Sequence, residues 1–277
     1  DIAKQISPSL TIIDGINAME GNGPIKGTPY PLGILAAGTD MTALDRVMTE
    51  IVGVNSKNIY TLEAARINNV KRVVHAGSAE VYGKPETVPI EENHPLEPRS
   101  PYAAGKVASD RLMFAYYCTY GLPVVMSRFF GIYGPRQSIE KAIPKFILQI
   151  HNNKTPCVYG DGKQSRDYMF VTDAADAYTR LGLADNVIGQ AMNIGTGIEI
   201  DIATLARLII KIMGAKMEPN FTGKISPGEA GRLVCNPSKG MKILDWKPTV
   251  SLEDGLKSTI DYYLKNAHLY NYSKFTI

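Results

Sequence analysis

Val70-Lys-Arg-Val-Val-His75, then Gly77-Ser-Ala-Glu-Val-Tyr-Gly83, then Ser100-Pro-Tyr-Ala-Ala-Gly-Lys106 is the stretch on which the fold turns. Its first segment is short, β-branched and almost without polar alternation. That pattern predicts a strand covered on both faces, as in a parallel sheet. Gly77 to Arg99 is polar and broken by prolines, so it reads as loop. Ser100 followed by Pro101 is a helix start, with serine as N-cap and proline in the first turn. The helix is expected to run to about Tyr120 and to stop at Gly121.

Working outward, the same alternation continues. Pro123 to Ser127 reads as the next strand, and Val158 to Gly162 as a strand ending in a tight turn. Val171 to Leu183 is expected to be helical. Asp201 caps a helix whose apolar residues Ile202, Leu205, Leu208, Ile209 and Ile212 follow helical spacing, with Gly214 at its end. Ser251 caps a last helix that reaches about Leu264. Toward the N-terminus, Leu10 to Asp14 and Gly33 to Ala37 read as strands, and about 42–51 and 56–67 as helices. Strands alternating with helices predict an α/β fold with a largely parallel sheet.

Composition narrows the function classes. The 277 residues suffice for one large domain or two modest ones. A net charge of +3 is too small and too scattered for a nucleic-acid surface, yet it suits a phosphorylated small ligand. Cys118, Cys157 and Cys235 are far apart and form no Cys-x-x-Cys pair, so no zinc or iron–sulfur site is written here. Reduced cysteines, no signal peptide and no membrane-length apolar run point to a cytoplasmic protein without a membrane partner. The chain begins with Asp1 and not Met, as a processed or trimmed chain or a fragment of a longer one would.

Tyr102 and Lys106 are the leading candidates for chemistry. Their i,i+4 spacing sets both on one helix face. A lysine ammonium beside a phenol is expected to lower its pKa, giving a group able to take a proton from a sugar hydroxyl. Tyr-x-x-x-Lys alone also occurs on ordinary amphipathic faces, so the surrounding order of motifs matters. With Ser78 ahead of it, and with Arg128-Phe-Phe-Gly-Ile-Tyr-Gly-Pro-Arg-Gln137, Tyr159-Gly-Asp-Gly-Lys-Gln-Ser-Arg-Asp-Tyr168, Asn193-Ile-Gly-Thr-Gly197 and Leu244-Asp-Trp-Lys-Pro248 behind it, the chain from about Val70 to Tyr263 resembles the extended short-chain dehydrogenase/reductase family, specifically its nucleotide-sugar epimerases and dehydratases.

That resemblance implies an incomplete Rossmann-like parallel sheet with a smaller C-terminal substrate-binding α/β subdomain. It implies NAD as cofactor, a nucleotide sugar (a UDP-hexose) as substrate, and oxidation and re-reduction of the sugar C4 hydroxyl. Ser78 would hold the reacting oxygen, Tyr102 would be the base, and Lys106 would also hold the nicotinamide ribose, with Phe129 in the cofactor site. Arg166 would hold the diphosphate, because an Arg fork suits phosphate oxygens; its plainer role is an ion pair with Asp167 or Asp173. Tyr82 and Gly131 would line the substrate site, although Gly131 stands where the family usually has Asn, and Ser226 where it usually has Arg. Glu80 follows Ala79 where 4,6-dehydratases have Asp-Glu. A lone Glu favours epimerase, leaves a 4,6-dehydratase as an alternative, and is otherwise a solvated loop carboxylate. Homodimers of the family use two helices, here about 56–67 and 102–120, with Met113, Phe114 and Tyr117 as an apolar seam. Burial within one subunit explains those three side chains nearly as well.

Residues 1–66 depart from this pattern. Asp14-Gly, Met19-Glu-Gly-Asn-Gly-Pro24 and Gly33-Ile-Leu-Ala-Ala-Gly-Thr-Asp40 resemble the tail of an uncharacterised domain found beside iron–sulfur modules. The division expected is 1–66 for that segment and 67–277 for the epimerase-like part. The family's opening Gly-x-x-Gly-x-x-Gly turn, which brings the NAD pyrophosphate to a helix N-terminus, is not found. Its one candidate, Gly21-Asn-Gly-Pro-Ile-Lys-Gly27 with Asp40, leaves too short a connection for a crossover helix. A catalytically silent chimera lacking the pyrophosphate loop is therefore the alternative reading. The strands near 10–14 and 33–37 are expected to cover the sheet edge exposed by the missing half.

Overall fold

The computed structural model describes the backbone of residues 11–15, 18–20, 28–30 and 34–38, and the whole of residues 72–224 and 230–270. The helices expected at 42–51 and 56–67, the glycine-rich loop 21–27, Asp40 and Ser226 lie outside the described residues.

The central sheet has five strands in the order Thr11–Gly15, Ile34–Gly38, Val73–Ser78, Val124–Phe129, Ala191–Ile194. The last three are parallel, with Val73 opposite Val124 and Ser78 opposite Phe129. Ile34–Gly38 pairs antiparallel with Val73–Ser78, Leu35 opposite Ala76 and Gly38 opposite Val73, and Thr11–Gly15 pairs antiparallel with it in turn. The N-terminal strands thus cover the edge as expected, by an antiparallel addition.

Alternation explains why the inner strands are apolar throughout. Val73, Val124 and Met126 pack with Met113 of the Pro101–Tyr120 helix on one face. Val74 and Val125 pack on the other, with Ala177 and Leu181 of the Val171–Leu183 helix and with Trp246. Each inner strand therefore buries both sets of side chains. Gly77 is needed for this close pairing: a Cβ there would lie 2.1 Å from the Ser127 carbonyl oxygen.

The smaller lobe is built on Ser165–Phe170, flanked by Glu199–Asp201 and Arg232–Leu233 and joined by Gly131–Tyr133. Its core gathers Tyr133, Phe146, Ile147, Leu205, Ile209, Leu256 and Tyr263. The helix caps fall where the sequence puts them. Ser100 Oγ accepts from Ala103 N at 3.1 Å, Asp201 from Thr204 N at 2.8 Å, and Ser251 from Asp254 N at 3.1 Å. Gly121 closes the first of these helices at φ 66°.

Two expectations need correction. The Gly77–Arg99 loop contains a 3-10 turn, Ala79–Tyr82, capped by Ser78, whose hydroxyl accepts from Glu80 N at 3.2 Å. Met113 does not belong to an external seam: it is 1% exposed and packed under the sheet, while Phe114 and Tyr117 remain at the surface. Among the described residues no helix is long and apolar enough to cross a membrane.

Candidate active site

A cleft of about 610 Å³ opens between the carboxyl ends of the parallel strands and the smaller lobe. Ser78 ends one strand and Phe129 ends its neighbour, so both reach the cleft because the register sets them side by side. Tyr102 enters from the first turn of the Pro101–Tyr120 helix, and Glu80 from the 3-10 turn. Gly131 and Arg166 complete the wall on the side of the smaller lobe.

Tyr102 stands beside Ser78 and Glu80 on the cleft wall. The tyrosine ring is 42% exposed, yet its phenol is held above the ordinary tyrosine pKa. Partial withdrawal from water is the main cause, the neighbouring Ser78 hydroxyl opposes it, and the Glu80 carboxylate adds to the rise. Lys106 is buried at 4% exposure, donates from Nζ to the Ala76 carbonyl at 3.0 Å, and sits 5.8 Å from the Tyr102 ring centroid. Burial lowers its own pKa to about 8. The expected lowering of the phenol by this lysine is therefore not met: the ammonium is drawn under the strand toward Ala76, and withdrawal of the phenol from water outweighs what lowers it.

Phe129 lines the cleft and stacks on Tyr178 at 5.6 Å between ring centroids. Arg166 is half-buried, and its Nη1 donates to the carbonyls of Ser165 and Gly231 at 2.8 and 2.9 Å. The two carboxylates offered as its partners are engaged elsewhere. Asp167 accepts from Thr196 N, Thr196 Oγ1 and Gly197 N, and Asp173 accepts from Thr249 and Val250. Gly131 has no room for a larger side chain as the backbone stands: a Cβ would meet the Asp167 carbonyl oxygen at 2.8 Å and the Tyr168 ring at 3.1 Å.

Tyr82 is not brought to the cleft. It is fully buried, and its hydroxyl donates to Asn193 Oδ1 at 2.6 Å and accepts from Arg128 Nη1 at 2.9 Å. Burial raises its pKa to about 12. Its role is to link the strands below the site. Sequence reasoning missed Tyr168 and Lys141, which also line the cleft. Tyr168 had a readable signal, since it stands two residues from Arg166 on one strand and so shares its face. Lys141 had none.

The cofactor expectation meets a mixed structure. At the nicotinamide end the cleft offers Tyr102 and Phe129, and beside them Lys106, an ammonium with three donors of which one is bonded to Ala76. At the pyrophosphate end the neighbour of Val73–Ser78 runs antiparallel. It presents its N-terminal end beside the cleft, where a Rossmann sheet presents a strand-to-helix turn. No strand-to-helix glycine turn stands there among the described residues.

The profile of a family described as GDP-mannose 4,6 dehydratase matches residues 44–259. A second, described as a domain of unknown function (DUF362), matches residues 1–50. An uncharacterized UDP-glucose epimerase of Bacillus subtilis is 34% identical over 201 residues, 73% of this chain and 63% of that protein. A human dTDP-D-glucose 4,6-dehydratase is 32% identical over 214 residues, 75% of this chain and 60% of that protein. The chain thus spans about three-fifths of these relatives. Among solved structures, UDP-glucuronic acid 4-epimerase from Bacillus cereus, in complex with UDP-glucuronic acid and NAD, superposes with a TM-score of 0.70 at 31% identity, over 76% of this chain and 66% of that one. The dTDP-glucose 4,6-dehydratase DesIV from Streptomyces venezuelae, with NAD bound, gives 0.71 at 32%, over 82% and 71%.

Proposed function

The chain belongs to the GDP-mannose 4,6 dehydratase family, and on that footing we propose that its cleft binds a nucleoside-diphosphate hexose and epimerises it at C4. The observation that supports this most is that Ser78 and Tyr102 line the same cleft wall, with Lys106 one helical turn on and 5.8 Å from the Tyr102 ring centroid. In this reading the Ser78 hydroxyl holds the sugar oxygen. Tyr102 takes the hydroxyl proton as the C4–H bond breaks, and returns a proton when C4 is reduced from its other face. Bound NAD would supply the hydride acceptor and donor, with Tyr102, Lys106 and Phe129 holding its nicotinamide end. Arg166 and Lys141 give the cleft positive charge for a diphosphate.

Glu80 on the same wall supports the 4,6-dehydratase as the second enzymatic reading, since elimination needs a further acid/base group. A silent nucleotide-sugar-binding relative is favoured by the antiparallel strand where the cofactor half of the sheet belongs. Within this proposal, residues 1–66 are a separate segment and 67–277 the sugar-binding part. Phe114 and Tyr117 form a dimer face, and the three free cysteines fit the reducing cytoplasm.

The deciding experiment is calorimetry of the full chain with UDP-glucose and with NAD⁺, followed by interconversion of UDP-glucose and UDP-galactose. Turnover lost in Tyr102→Phe supports the epimerase. A 4-keto-6-deoxy product selects the dehydratase. Sugar binding without NAD⁺ binding selects the silent relative, and no binding of either ligand overturns the reading of the cleft.

A further inference from the structure

His75 is a buried titratable group that the chemistry above does not use. It is 3% exposed, and its Nε2 lies 2.8 Å from the Ser109 hydroxyl. Ser109 Oγ donates in turn to the carbonyl of Lys106 at 3.0 Å. A hydroxyl has one proton to give. With that proton committed to Lys106, Nε2 must carry the hydrogen and donate to Ser109. Nδ1 is then a bare lone pair, and it is buried with no partner. The helix thus selects the imidazole tautomer.

The reverse connection runs through Lys106, whose Nζ donates to the carbonyl of Ala76, the residue after His75. His75, Ser109, Lys106 and Ala76 therefore close a clamp between the Val73–Ser78 strand and the Pro101–Tyr120 helix. Ser78 stands two residues beyond Ala76 on the strand, and Tyr102 one turn before Lys106 on the helix. Any slip of one element against the other must break a buried hydrogen bond, which is costly when no water replaces it.

We infer that His75 is a positioning residue: through Ser109 it locks the helix to the strand and so holds Tyr102 beside Ser78 on the cleft wall. The inference rests on the reading of Tyr102 and Ser78 as the reacting pair. The charges around His75 support a neutral ring. Lys106 and Asp110 face it from the helix and Arg128 from the adjacent strand. Asp110 is already engaged by Arg128 and Arg111, so a protonated His75 would be a further cation in a buried site. Burial and Lys106 hold its pKa down to about 4. Its backbone is fixed too, because Ser127 Oγ from the next strand donates to the His75 carbonyl.

The test is NMR on the full chain with ¹⁵N-histidine and ¹³Cζ-tyrosine labels. The Tyr102 resonance is identified by its absence in Tyr102→Phe. His75 is expected as the Nε2–H tautomer. In His75→Phe, which fills the space without a donor, the Tyr102 titration is expected to move up, because the Ser78 hydroxyl that lowers it is no longer held in place. His75→Gln, a neutral donor, should restore it. Ser109→Ala breaks the clamp at its middle and should reproduce the shift even if His75→Phe does not fold. An Nδ1–H tautomer, or a Tyr102 titration unchanged in folded Ser109→Ala or His75→Phe, overturns the inference. These readouts use no sugar and no cofactor. Failure of UDP-glucose to bind would sink the reading of the cleft alone, and an unmoved Tyr102 would sink the clamp alone.

Discussion

At the residue scale, burial first and neighbouring charge second set how the groups around the cleft titrate. Tyr102 is held above the ordinary phenol pKa, and Glu80 is one of the groups that raise it. Glu80→Gln is therefore expected to lower the Tyr102 titration, read from its ¹³Cζ shift; an unchanged midpoint would remove Glu80 from the electrostatics of the site. His75 gives a second prediction. Its pKa near 4 in the folded state lies below the ordinary 6.5. The unfolded chain takes up a proton at this position below about pH 6.5, and the folded chain only near 4, so stability is complete above 6.5 and falls as the pH drops through that window. The full loss is on the order of 3 kcal/mol. Urea unfolding at pH 7 and at pH 4.5 should show His75→Gln losing less than the wild type. An equal loss in both would place the acid sensitivity elsewhere.

Among the elements, the Pro101–Tyr120 helix matters most, because it carries Tyr102 and Lys106 and half of the clamp. Its N-terminus is fixed by the Ser100 hydroxyl on Ala103 N. Ser100→Ala should cost about 1 kcal/mol by denaturant unfolding, and, because Tyr102 lies in that first turn, it should also weaken nucleotide-sugar binding. A stability loss without a binding loss would mean that the first turn is held by its packing instead. The helix is anchored further along by Asp110, whose carboxylate meets Arg128 Nε at 2.9 Å with both side chains buried. Asp110→Asn leaves that guanidinium without its countercharge and should cost about 3–5 kcal/mol. A cost near zero would show that Tyr82 and the Glu92 carbonyl, which also accept from Arg128 Nη1, suffice to hold it.

Across the whole molecule, the unusual feature is the join. The parallel part of the sheet ends at Val73–Ser78, and Ile34–Gly38 completes it in the antiparallel sense. A chain starting at residue 67 would leave that edge with unpaired backbone groups, which is a template for association. Light scattering is expected to show it aggregating where the full chain does not. A well-behaved monomer of 67–277 would mean that the edge needs no cover, and would strengthen the division of the chain at residue 66.

Much of this was legible from the sequence because the signals are local. Helix starts at Ser100, Asp201 and Ser251 rest on a side chain reaching an amide three residues on, and the continuous apolar run at Val73 and Val74 already implies two covered faces. Tyr102 and Lys106 share a helix face by spacing alone, and the order of motifs along the chain implied the family. What only the tertiary structure decided depends on groups distant in sequence. Tyr82 reads like a cleft residue, yet it is buried, with Arg128 and Asn193 converging on its hydroxyl from two strands. Met113 reads like a seam residue, yet the sheet covers it. Spacing predicts the opposite direction for the Tyr102 pKa because it reports which groups are neighbours but neither how far water is withdrawn nor where an ammonium points, and Lys106 points to Ala76. The pairing at Val73–Ser78 is likewise a contact between segments far apart in the chain, and its antiparallel sense, which sets the strand end that borders the cleft, is written in no local pattern.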